Sequence, residues 1–172
     1  MRKEGWIQTY TGRRVFPNHM RDEDIDIIDI AHALSLICRF GGHCDRFYSV
    51  AEHSVRVSLL VPTPGKLAAL LHDAAEAYLG DIPRPLKGSA AHTNEENLQD
   101  VIFKTLGVKQ FSYDIIKAAD NRLLSTEGRD LMGDTQGWFL PQPPLADSIV
   151  PLSPREAEDL FLGKYQEYKE MK

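Results

Sequence analysis

Residues 67–83, LAALLHDAAEAYLGDIP, set a His-Asp pair, His72-Asp73, and two more carboxylates, Glu76 and Asp81, inside an otherwise apolar run. The spacing predicts a helix from Lys66 to Leu79, closed by Gly80 in a left-handed conformation. On it His72 and Glu76 share a face, one turn apart, while Asp73 lies about 100° around from His72. The surrounding Leu and Ala residues form a low-dielectric wall, where bare carboxylates are costly unless a cation or a hydrogen-bond network compensates them. A divalent metal meets that need. Adjacent side chains cannot fill a coordination sphere, so further ligands must come from other helices. Two candidates are His53, in SVAEHSVRVS, and Asp120, in IIKAADNRLL, the latter on the apolar side of its helix with Ile116 and Leu123. Two imidazoles and two carboxylates suit zinc, manganese, iron or cobalt, with room for a water. Taken singly, His53 has an ordinary reading as a core histidine bonded to a carbonyl, and Asp120 as a surface or capping residue. It is the set that points to a metal.

Outward from this stretch, start and stop signals place the other helices. Asp29 is a candidate cap for IAHALSLICRF, and Ser49 with Glu52 forms a capping box opening SVAEHSVRVSLLV, which Pro62 stops. Thr93 with Glu96 makes a second box before NEENLQDVIFKTL, ended by Gly107, and a helix follows from about Ser112 to Leu124 or beyond. Ser153-Pro154-Arg155-Glu156 is a third box, for the last helix EAEDLFLGKYQEYK. Between Gly133 and Pro151 the proline-rich GDTQGWFLPQPPLADSIVP cannot hold a helix and is too apolar for a linker, so an ordered loop packed on the body is expected. The opening WIQTYTGRRVFP alternates around Thr11-Gly12 and predicts a small hairpin ended by Pro17. The architecture expected is all-α, about six helices with a short N-terminal β-hairpin, in one domain spanning 1–172.

A 172-residue chain with 42% hydrophobic and 26% charged residues has the composition of an ordinary globular protein. Its net charge of −5 gives no reason to expect nucleic acid or a membrane surface as partner, so any phosphate must be met locally. Cys38 and Cys44 fit neither a disulfide framework nor a four-thiolate zinc site, and are expected as free thiols in a reducing cytoplasm. MRKEGWIQTY lacks the apolar core of a signal peptide, and no apolar run approaches the ~20 residues of a membrane span. A cytoplasmic location is the expectation.

The series AEHS, then LLHDAAE, then AAD resembles the H…HD…D signature of the HD-domain metal-dependent phosphohydrolases, an all-α helical-bundle family. HDAAEAYLGDIPRPLK resembles the matching stretch of bacterial HD-type 5′-deoxynucleotidases, and ICRFGGH…FYSVAEHS their Arg-aromatic position. IQTYTGRRVFP and the compact length are similar to the phage dATP triphosphohydrolases of the same superfamily. The resemblance covers about residues 5–130. It implies His53, His72, Asp73 and Asp120 as metal ligands, Glu76 as the acid/base, and Asp81 as an acidic residue near the attacking water or the sugar. Asp81 also reads as a plain turn residue. Arg39 and Lys87 occupy the phosphate positions, and Lys87 reads equally as a solvated loop lysine. Phe40 stands where relatives carry a tryptophan or similar ring packed on the sugar or base.

After Gly41-Gly42, His43 has one reading as a substrate contact and another as a structural hydrogen bond. Trp138-Phe139 can fold over the pocket or bury an interface. The function implied is hydrolysis of a purine deoxynucleoside triphosphate to deoxynucleoside and triphosphate, with Zn, Co or Mn bound and Mg near the triphosphate. Arg13, Arg14, Arg56 and Arg84 are further cations that could meet the outer phosphates. The alternatives are a 5′-deoxynucleotidase acting on monophosphates, or a nucleotide sensor without turnover. A homo-oligomer, dimer or hexamer, in a bacterial or phage-infected host cytosol completes the expectation.

Overall fold

The computed structural model describes residues 5–86, 88–138, 140 and 142–171; the side chains of Arg84 and residues 89–92 fall outside that description. Lys87 and Phe139, both singled out by the sequence, lie outside the described residues. Among the described residues, seven α-helices follow a two-stranded ribbon, so the protein is all-α with an N-terminal β-hairpin. In the ribbon β1 (Ile7–Gln8) pairs antiparallel with β2 (Arg14–Val15) across the turn containing Gly12. The ribbon is pinned to α1 (Ile27–Leu36) by Asp29, whose carboxylate accepts from Thr11 N at 2.7 Å and Thr11 Oγ1 at 2.9 Å. Asp29 is therefore not the helix cap. That role falls to Asp26, which accepts from Ile28 N, because Asp29 already lies within the first turn of the helix and is buried.

Helix α2 (Val50–Leu59) runs through the middle of the protein and packs on α1, α3, α6 and α7. Ser49 caps it by accepting from Glu52 N, while the return half of the expected box is not made. Glu52 turns instead to Arg56, at 2.8 and 2.9 Å, and to Leu152 N at 2.8 Å, which ties the end of the 133–152 segment to α2. With Oε1 held by Arg56 and Oε2 by Leu152 N, the carboxylate is turned away from its own helix start.

The predicted helix 66–79 is interrupted. It forms α3 (Lys66–Leu70) and α4 (Glu76–Leu79), with residues 71–75 in turns between them. Gln99, on α5 (Ser89–Leu106), explains the break: its Oε1 accepts from Ala75 N at 3.1 Å and its Nε2 donates to Leu71 O at 2.6 Å. Those two backbone groups would bond to each other in a continuous helix, so one amide is inserted into the i→i−4 ladder. Gly80 closes α4 with φ 82°, positive as expected, but its ψ of 156° is extended rather than left-handed helical.

Helix α5 starts a turn earlier than its predicted box, capped by Gly88, so Thr93 and Glu96 lie within it. Gly107 ends it in the left-handed conformation at φ 72°, ψ 32°. Helix α6 (Tyr113–Leu131) continues almost two turns past Leu124, and α7 (Pro154–Glu170) opens with the complete Ser153–Glu156 capping box. Two apolar clusters flank α2: one holds Ile30, Leu34, Leu70, Ile102 and Phe161, the other Val57, Ala69, Leu123, Leu131 and Ile149. The 133–152 segment packs on α6 as expected, with Leu145 N donating to Thr126 Oγ1 at 2.9 Å and Ile149 N to Asp130 at 2.7 Å. No helix among the described residues is long and apolar enough to cross a membrane.

Replacing Gln99 by Leu strands the buried Ala75 N and leaves Leu71 O with Ala74 N as its donor, or lets the two close the helix and swing residues 72 and 73. A loss of about 1–3 kcal/mol is expected in urea unfolding. Unchanged stability would show that the break does not depend on the amide.

Candidate metal centre

The interruption between α3 and α4 puts His72 and Asp73 on a turn rather than a regular helix, facing the buried His53 of α2 and Asp120 of α6. Ligand atoms of His53, His72 and Asp73 lie within 4.8 Å of one another. Asp73 Oδ2 is 3.2 Å from His72 Nε2 and 3.5 Å from His53 Nε2, and Asp120 Oδ1 is 3.4 Å from His53 Nε2. Three of the four predicted ligands thus form one group, and Asp120 borders it through His53.

The orientation of the imidazoles is fixed from behind. His53 Nδ1 donates to Glu127 Oε1 at 2.6 Å, and His72 Nδ1 donates to Ala69 O at 2.8 Å; acceptor-only partners set both tautomers. Both Nε2 atoms are buried without a hydrogen-bond partner. Two imidazoles anchored through one nitrogen and presenting the other, beside two carboxylates, are donors of the kind a divalent cation takes.

Burial and the Arg39 charge press the His53 imidazole toward neutrality, yet the Glu127 and Asp120 carboxylates prevail and raise its pKa to about 9. Burial opposes the ionised form of Asp120, but His53, His72 and Lys117, the last at 2.5 Å, hold it well below the usual carboxylate range. Glu76, at the start of α4, behaves oppositely: burial, then repulsion from Asp73 and Asp81, pushes its carboxyl up to about 10. A cation in the cluster would cancel the Asp73 part of that repulsion and let Glu76 titrate lower.

Arg39 enters from the turn after α1. Its guanidinium sits 3.1 Å from Glu127 Oε2 and 3.8 Å from Asp73 Oδ2, with a buried Nε that has no hydrogen-bond partner. Burial works against its charge, but Glu127, Asp73 and Asp120 raise its pKa further. The Phe40 ring lies 5.2 Å from the Arg39 guanidinium carbon and 5.9 Å from the Trp138 ring. Asp81 follows Gly80 near enough to act on Glu76. The structure thus brings Glu76 and Arg39 to the predicted ligands and sets Phe40 beside Arg39, whereas His43 sits exposed at the far end of the turn.

Glu127 was not legible as a functional residue. It is fully buried, two helical turns beyond Asp120 on α6, and holds His53 with one oxygen and Arg39 with the other. The available signal was the i, i+7 spacing from Asp120, which places both on one face of a helix. Its carboxyl is opposed by burial but held down to about 2 by Arg39 and His53.

Fold and site together define an all-α protein in which His53, His72 and Asp73 form a group that could hold a metal ion, with Asp120 beside His53. No family model matches the chain. It is 38% identical over 173 residues to the uncharacterized protein YfdR of Escherichia coli (strain K12), covering 97% of each chain. The chain belongs to the YfdR family. It is also 43% identical over 96 residues to an uncharacterized protein of Rhodobacter capsulatus, RCAP_rcc00048, covering 51% of this chain and 49% of the relative.

Substituting Glu127 by Gln should weaken Co²⁺ or Zn²⁺ binding about 10–100-fold in calorimetric titration, since the carboxylate orients His53 and raises its basicity; equal affinity would reduce Glu127 to packing. Glu76 binds its proton more tightly folded, at about 10, than at its ordinary 4.5, so its contribution is fully present below 4.5 and is lost as pH rises toward 10. Glu76→Gln should therefore raise the Tm of metal-free protein near neutral pH, by about 2–4 °C for each kcal/mol recovered, and flatten the decline at higher pH.

Proposed function

We propose that the protein is an HD-type, metal-dependent phosphohydrolase that cleaves deoxynucleotides at the α-phosphorus and releases the deoxynucleoside. The observation that carries this reading is the pair of buried, unpartnered Nε2 atoms of His53 and His72, facing Asp73 and Asp120 while their Nδ1 atoms are anchored. A divalent ion such as Zn, Co or Mn held by these four residues supplies, when bound, a Lewis acid for the phosphoryl group and acidifies water.

The chain's own residues account for the rest. Arg39 has one nitrogen on Glu127 and a buried Nε still to be used, so it can donate to phosphate oxygens where water is excluded. With a cation offsetting the Asp73 repulsion, Glu76 would give up the proton it holds in the metal-free protein, and as a carboxylate it would accept one from the attacking water and return it to the departing 5′ oxygen. Asp81 tunes Glu76 by its charge. Phe40 and Trp138 offer ring faces for the sugar or base. Lys87 and His43 complete the substrate side of the proposal, and a homo-oligomer belongs to it as well.

The first substrate reading is a purine deoxynucleoside triphosphate, which with water gives deoxynucleoside and triphosphate. A specific observation favours a second, the deoxynucleoside monophosphate. Arg13 is paired with Asp26, Arg14 lies over the rings of Trp6 and Phe16, and Arg56 is held by Glu52. Three arginines that could have met the outer phosphates are thus engaged within their own chain.

Chromatography of products from a panel of dNTPs and dNMPs, with Co²⁺, Mn²⁺ or Zn²⁺, distinguishes the readings. Deoxynucleoside with intact triphosphate is the outcome of the first, and deoxynucleoside with orthophosphate from monophosphates alone that of the second. Glu76→Ala should lower the rate by about 10²–10⁴-fold in either case. Binding of nucleotide and metal without turnover would leave a sensor in place of an enzyme.

A further inference from the structure

The turn that carries Arg39 and Phe40 begins and ends in cysteine. Cys38 and Cys44 are free and half-buried, with their sulfurs 3.5 Å apart. Each is fixed by backbone bonds of its neighbours. On one side Arg39 N donates to Tyr48 O at 2.9 Å and Val50 N to Ile37 O at 3.0 Å; on the other, Asp45 N donates to Leu131 O at 2.9 Å. Between them Phe40, Gly41 and Gly42 have φ of 56°, 61° and 81°, three successive positive values that fold the chain back on itself. That reversal brings the thiols together. The Cys44 sulfur also lies 3.8 Å from Arg39 O, so the thiol pair touches the backbone of the residue that grips Glu127.

We propose that Cys38 and Cys44 are a reversible disulfide site, closed by exchange with a low-molecular-weight disulfide such as oxidised glutathione and acting on the Arg39–Phe40 turn. The Cys38 thiolate attacks one sulfur of glutathione disulfide, forming a mixed disulfide as one glutathione leaves. Cys44 then loses its proton and displaces the second glutathione, so two protein thiols are oxidised and one disulfide is reduced to two thiols. Cys44 suits the second step, because burial and the neighbouring Cys38 raise its pKa and keep it protonated until the mixed disulfide forms beside it. Closure requires the sulfurs to approach to about 2.05 Å, roughly 1.5 Å nearer than in the dithiol. Ends that are already bonded to α2 and α6 leave the turn itself to absorb the movement. The Cys44 contact to Arg39 O is lost, and Phe40 shifts relative to Trp138.

The experiment treats the full chain with oxidised glutathione and reads intact mass, a non-reducing peptide map and Trp138 emission in a Trp6→Phe background. Loss of two hydrogens, a Cys38–Cys44 cross-link, a change in emission and full reversal by dithiothreitol are expected, with Cys38→Ser and Cys44→Ser giving no internal cross-link. A glutathione adduct that persists on one cysteine, a cross-link between two chains, or closure without any change in Trp138 would overturn the proposal. The effect on turnover, a several-fold rise in KM on oxidation, rests on the phosphohydrolase reading. If no deoxynucleotide is hydrolysed, mass and emission still decide the thiol proposal, so the two ideas fail separately.

Discussion

A single buried carboxylate organises the centre of this protein. Glu127, with no solvent exposure, bonds His53 of α2 through one oxygen and Arg39 of the α1–α2 turn through the other. A charge in that position would be intolerable alone, and one partner would leave lone pairs unmet. With both, the carboxylate fixes the tautomer of an imidazole and the position of a guanidinium at once. The side-chain positions that matter most for the site are therefore linked by geometry and not merely adjacent. Two elements far from α6 in sequence, the α1–α2 turn and α2, converge on it for this reason.

The site also depends on a helix that does not complete itself. His72 and Asp73 can both reach inward because residues 71–75 form turns, and the amide of Gln99 satisfies the backbone groups that the break exposes. Regular helical spacing would turn the two side chains about 100° apart. The distortion is thus part of how adjacent residues are brought to a common point, 3.2 Å from His72 Nε2 to Asp73 Oδ2.

Much of this was legible in the chain. Ser153-Pro154-Glu156 and Gly107 carry their structural meaning in their own neighbourhoods, so helix ends there follow from local chemistry. The convergence of His53, His72, Asp73 and Asp120 was legible because ionisable residues on apolar helix faces demand a shared partner. What escaped was whatever a distant residue decides. Two aspartates, Asp26 and Asp29, compete to cap α1, and only the tertiary bond to Thr11 assigns them. Nothing local to residues 66–79 announces an amide arriving from position 99. Glu52 was assigned to its own helix start, yet its acceptors are taken by Arg56 and Leu152.

Phe40 is the one non-glycine among the described residues with a positive φ, at 56°. A left-handed conformation costs an L-residue roughly 1–2 kcal/mol, a penalty that glycine at the same position would escape. Two glycines follow it directly, so a smoother turn lies a single substitution away. Under selection for thermal robustness alone, drift at this position runs toward glycine and erases the ring. The strain at Phe40 is therefore spent on placing an aromatic ring beside Arg39 and Trp138, which glycine could not do.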